Sequence, residues 1–90
     1  MTRLQLTRGA VRDLQRLRAF IAEHNPATAA RVSRRLVTSL EQLVAHPELG
    51  HPVEELPDVR ERVRGDYGVR YTPTAQAVLV LRIWHGKEDP

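Results

Sequence analysis

Residues 77–84, Ala-Val-Leu-Val-Leu-Arg-Ile-Trp, restrict what this chain can fold into more than any other stretch. Half of the run is β-branched or aromatic, and Arg82 is the single polar interruption, so it reads as a strand. Side chains of a strand alternate between faces. Leu79, Leu81 and Ile83 then point one way, and Val78, Val80 and Trp84 the other. Both faces are apolar, whereas a sheet with one wet face alternates apolar with polar. The strand is therefore expected in the middle of a sheet, with each face covered. Only two helical segments are available, so the second cover is expected from a partner protein touching Val78, Val80 and Trp84. Long arginine stems lying along the strand would be another way to cover it.

The two helices are legible upstream. Val11, Leu14, Leu17 and Ile21 recur at helical spacing after Thr7, a residue suited to an N-cap. Asn25-Pro26 stops that helix and starts the next, with Asn25 as cap and Pro26 at the first helical position. Ala29, Val32, Leu36, Leu40 and Leu43 form a second apolar stripe that ends at His46-Pro47. Ahead of the helical hairpin, Leu4 and Leu6 alternate with Arg3 and Gln5 as a short strand.

Residues 47–59 carry three prolines and a glycine and read as a surface loop, with room for one short extended piece. Arg60 to Arg64 alternate as a strand with Arg60, Arg62 and Arg64 on one face. Gly65-Asp66 marks a turn, and Tyr67, Val69 and Tyr71 mark a further strand. Pro73 lies in the turn before residues 77–84. The expected fold is α+β: a short N-terminal strand, an antiparallel helical hairpin, then a three-stranded antiparallel meander with the helices on one face. Ninety residues make one domain.

Composition narrows the function classes. The chain has no cysteine, which excludes disulfides and thiolate chemistry. Its four histidines have no ligand spacing, so no metal site is expected. The N-terminal residues lack a signal-peptide pattern and no run is long enough to span a bilayer, so a cytoplasmic protein without a membrane partner is expected. Thirteen of the fourteen basic side chains are arginine, the cation suited to forked carboxylate or phosphate contacts. A GC-rich genome would give the same bias. The helix arginines Arg8, Arg12, Arg16, Arg31 and Arg35 are expected on solvated outer faces. No aromatics are interleaved with them, so stand-alone binding of nucleic acid is not expected.

The order of elements, with Pro47 and Gly50 in the loop, Arg60, Tyr67 and Tyr71 in the meander and Val-Leu-Val-Leu-Arg-Ile-Trp-His-Gly-Lys-Glu-Asp at the end, resembles the RelE/ParE superfamily of type II toxins across nearly the whole chain. The resemblance implies a small bacterial growth inhibitor, of the kind found in plasmid stabilisation systems, neutralised by a cognate antitoxin and using no cofactor. It also implies one of two modes of action. A ParE-like member inhibits DNA gyrase by binding. A RelE-like member cuts messenger RNA on the ribosome, which needs cations at the phosphate and a group that moves protons. For the second mode the candidates are His85, Arg82, Arg70 and Glu61. For antitoxin or target binding they are Arg60, Arg62, Arg64, Arg70, Val78, Val80, Arg82, Trp84 and Lys87. Gly68 stands where RNA-cleaving relatives typically carry a phosphate-bracing arginine, and this favours the gyrase mode.

Overall fold

The structure, a computed structural model, describes residues 3–86. Lys87, one of the expected binding residues, lies outside them. Elements follow in the order β1 (Arg3–Leu6), α1 (Arg8–His24), α2 (Ala29–Ala45), a 3-10 turn (Pro47–Leu49), β2 (His51–Val53), β3 (Leu56–Arg64), β4 (Tyr67–Pro73) and β5 (Ala77–His85). The meander is part of a five-stranded sheet ordered β1-β5-β4-β3-β2. β5 runs antiparallel to β4 and parallel to β1. The most apolar strand is thus interior, as its composition requires.

A bulge in β5 corrects the expected alternation. Arg70 pairs with Arg82 and Tyr71 with Val80, leaving Leu81 as an extra residue. Such an insertion shifts the strand's parity by one. Ile83 therefore faces the same side as Val78 and Val80, and all three are fully buried beneath the helices. Val78 and Val80 belong to the chain's own core, where no partner can reach them. Leu79 and Trp84 remain on the opposite, helix-free face and are only half-buried.

Thr7 caps α1 as its position predicts, its Oγ1 accepting from the Ala10 N–H at 3.1 Å. The buried face of α1 is rotated from the expected stripe. It comprises Ala10, Asp13, Leu17 and Ile21, while Val11 is 41% exposed. Asn25 closes α1, its N–H donating to the Ile21 carbonyl, rather than capping α2. Residues 26–28 form a turn, so Pro26 precedes α2 instead of opening it. Leu36, Leu40 and Leu43 carry the buried side of α2 as expected. α1 packs chiefly on β5, whereas α2 touches β1 and β5. Among the described residues no helix is long and apolar enough to cross a membrane.

The proline-rich stretch contains more strand than expected, with β2 in it and β3 beginning at Leu56. Tyr71, fully buried, anchors its start. The Tyr71 hydroxyl donates to the Pro47 carbonyl at 2.6 Å and accepts from the Gly50 N–H at 2.8 Å. A Cβ on Gly50 would come within 2.6 Å of that oxygen, so glycine is required for the approach. Arg60 reinforces the same loop, donating from Nε to the Gly50 carbonyl at 3.0 Å. Tyr71→Phe removes both hydroxyl bonds and leaves a buried N–H unpaired. It is expected to cost about 2 kcal/mol, read from the midpoint of urea unfolding.

Candidate functional site

The meander's register assigns each candidate residue to a face. Arg60, Arg62 and Arg64 stand opposite Tyr71, Val69 and Tyr67, so they share the helix-side face. Glu61 stands opposite Arg70, and both lie on the open face. There Arg70 Nε donates to Glu61 Oε1 at 2.8 Å, so each charge already has a partner.

Arg82 and Arg70 are cross-strand neighbours. Their like charges do not depend on an external anion, because Arg82 turns to Asp13 on α1. β1 pairs with β5 only as far as Val80, so the next residues of β5 have no strand on that side. Side chains of α1 take its place. Thr7 Oγ1 donates to the Leu81 carbonyl at 3.0 Å, Asp13 Oδ2 accepts from the Ile83 N–H at 2.9 Å, and Arg16 Nη2 donates to the Ile83 carbonyl at 3.2 Å. Asp13, 2% exposed, also accepts from Arg82 Nε at 2.8 Å and from Arg16 Nη1 at 2.6 Å. Burial alone raises the pKa of this carboxyl. The bonds from Arg82, Arg16 and the Ile83 N–H, with the charge of Arg82, outweigh burial and bring it to about 2. Arg16, expected on a solvated face, is thus part of the lock between α1 and β5.

His85 stands opposite Tyr67 on the helix-side face, the face of Ile83 two residues before it. Its side chain is only 9% exposed and packs against the Phe20 ring at 5.1 Å and edge-on to Tyr67 at 4.8 Å. Asp66 Oδ2 sits 3.9 Å from its Nε2. Burial, and then the charge of Asp66, raise the pKa of the Tyr67 phenol.

Gly68 is explained on the open face. It pairs with Trp84, and a Cβ at position 68 would overlap the Trp84 indole. The glycine makes room for the ring.

A groove of about 490 Å³ lies between α2 and the β3–β4 hairpin. Val32, Leu36, Leu43 and Val69 supply an apolar floor, and Arg35, Arg62 and Arg64 supply charge. Arg62 Nη1 is buried and has no hydrogen-bond partner among the described residues. A buried donor without an acceptor is costly, so an incoming carboxylate or carbonyl would gain there. Among the described residues no His, Asp and Glu cluster could hold a metal ion.

Sequence reasoning identified the arginines of β3 but not Asp13, the Leu81 bulge or the unpaired nitrogen of Arg62. Asp13 left one signal: it is an acid at helical spacing from Leu17 and Ile21, on the face that must be buried.

The family of ParE toxins of type II toxin–antitoxin systems matches residues 4–90. Toxin RelE1 of Caulobacter vibrioides is 36% identical over 84 residues, covering 89% of this chain and 88% of that protein. Among solved structures, a chain of the chromosomal ParDE system from P. aeruginosa superposes with a TM-score of 0.77 at 26% identity, covering 94% of this chain and 96% of the other. A chain of the RelBE2 toxin–antitoxin complex from Mycobacterium tuberculosis gives 0.69 at 25% identity, covering 91% and 94%.

Proposed function

This chain belongs to the ParE toxin family of type II toxin–antitoxin systems, and from that premise we propose that it acts by binding, with DNA gyrase as its target and a cognate antitoxin as its inhibitor. One observation carries the choice of binding over RNA cleavage. The residues a nuclease would need are divided by the sheet: Glu61 and Arg70 lie on the open face, His85 on the helix side, and Arg82 is held by Asp13. General acid–base catalysis needs its groups within hydrogen-bond reach of one substrate. No single phosphate can meet His85 and the Glu61–Arg70 pair together. The Glu61–Arg70 bond also occupies the acid and the cation that such chemistry would use.

The same reading assigns the antitoxin to the groove between α2 and the β3–β4 hairpin. The neighbouring solved structures come from toxin–antitoxin systems, which supports a partner of this kind. Apolar floor, cationic rim and an unpaired buried guanidinium nitrogen suit a segment that is apolar on one side and acidic on the other.

Three measurements test this. In a supercoiling assay the purified chain is expected to block gyrase, and unaffected gyrase at saturating toxin would sink the target assignment. In cells expressing the chain, primer extension on messenger RNA is expected to show no cuts within codons. For the antitoxin, Arg62→Ala is expected to weaken binding roughly 30-fold, about 2 kcal/mol, by titration calorimetry. An unchanged affinity removes the antitoxin from this groove.

A further inference from the structure

Two concavities meet at Arg35 and Arg64, and their linings differ in kind. The groove has an apolar floor. Its neighbour, about 390 Å³, is lined by Arg31, Arg34, Arg35 and Arg64 with Thr38, Ser39 and Gln42. No apolar side chain and no carboxylate contributes to that lining. Arg31, Arg34, Arg35 and Thr38 fall at i, i+3, i+4 and i+7 on one face of α2, and Arg64 joins them from β3. Among the described residues none of these four arginines is paired with a carboxylate. Like charges at this spacing repel one another, so the cluster gains when an anion neutralises it.

The chemistry of the lining selects the anion. A protein partner needs an apolar centre to its interface, which this face lacks. A single-stranded nucleic acid needs aromatic rings to stack on, and none is present in the lining. What remains is an all-polar, strongly cationic surface, the character of a duplex interface. Guanidinium forks match phosphate oxygens, and duplex DNA offers a rigid array of them, about one charge per 1.7 Å. We propose that the exposed arginine face of α2, together with Arg64, binds the phosphate backbone of duplex DNA without reading its sequence. This goes beyond the gyrase and antitoxin assignments, requires neither, and reverses the expectation against nucleic-acid binding, since missing aromatics argue against single strands and not against a duplex.

The test is fluorescence anisotropy of a labelled random-sequence DNA duplex titrated with the full chain over a salt series. Binding is expected with Kd on the order of 10⁻⁵ M near physiological salt, weakening steeply as salt rises. Arg31→Ala with Arg34→Ala, which line only this pocket, should weaken binding at least tenfold and flatten the log–log salt slope by about 2. Arg8→Ala with Arg12→Ala on α1 removes the same charge and should change neither by more than about twofold. Equal losses from both pairs would reduce the effect to net charge and overturn the site. Stronger competition by single-stranded DNA or by poly-glutamate than by unlabelled duplex would overturn the ligand. Arg62→Ala should leave DNA binding intact, so failure of the antitoxin groove and failure of this site give different results.

Discussion

Replacing Asp13 by alanine is expected to cost about 3 kcal/mol, a large share of the stability of a chain this small. The substitution leaves the Ile83 N–H without an acceptor and strips two arginines of their partner. Arg82 and Arg16 are 63% and 45% exposed and can turn to water, which holds the cost toward the lower end for a broken buried pair. Urea unfolding at neutral pH measures it, and a loss under 1 kcal/mol would mean that the lock is not structural. The carboxyl also predicts a pH dependence. Its pKa falls from 3.8 to about 2 on folding, so its contribution is complete above about pH 4 and disappears as pH drops through 2. Across that window the folded protein is expected to lose about 2 kcal/mol through this group. Asp13→Asn should be less stable at neutral pH and lack this acid step.

Gly68→Ala is the second large effect. The added Cβ would occupy the volume of the Trp84 indole, so either the ring leaves or the strands part. Overpacking of this kind costs about 2–3 kcal/mol, accompanied by a change in the emission of the chain's single tryptophan. The φ of Gly68 is not positive, so alanine meets no backbone strain there. In a Trp84→Ala background the same substitution should therefore stabilise by about 0.5 kcal/mol, reversing its sign. If it destabilises equally in both backgrounds, the ring is not the reason for the glycine.

These two positions show why part of the molecule was legible in sequence and part was not. Local periodicity located both helices, the Thr7 cap and the β4–β5 meander. Gly65, at φ 60°, makes the turn expected of it. Periodicity could not reveal the extra residue at Leu81, because a bulge is defined by what pairs across the ladder. Simple alternation from Leu81 onward runs one step out of register with Val78 and Val80, which makes two core valines look like a binding surface. Proline content hid β2 and the first residues of β3, since at a sheet edge the missing N–H groups do little harm. Pairings of charge were equally invisible. Glu61 with Arg70 joins two strands, and Asp13 with Arg82 joins residues 69 apart. A glycine in place of an arginine at position 68 suggested a lost phosphate contact; the structure gives it a steric cause in Trp84.

The interior place of β5 also bears on when the protein becomes dangerous to the cell that makes it. Arg3 pairs with Ala77, and Thr7 and Asp13 hold Leu81 and Ile83. The first strand and first helix are synthesised early, yet their partners in β5 lie about seventy residues further along the chain. A chain still threaded through the ribosome can form its helical hairpin but has no completed sheet, no groove and no fixed β4. Such long-range closure also slows folding once the chain is free. Synthesis therefore includes an interval in which the polypeptide exists without its folded, harmful form.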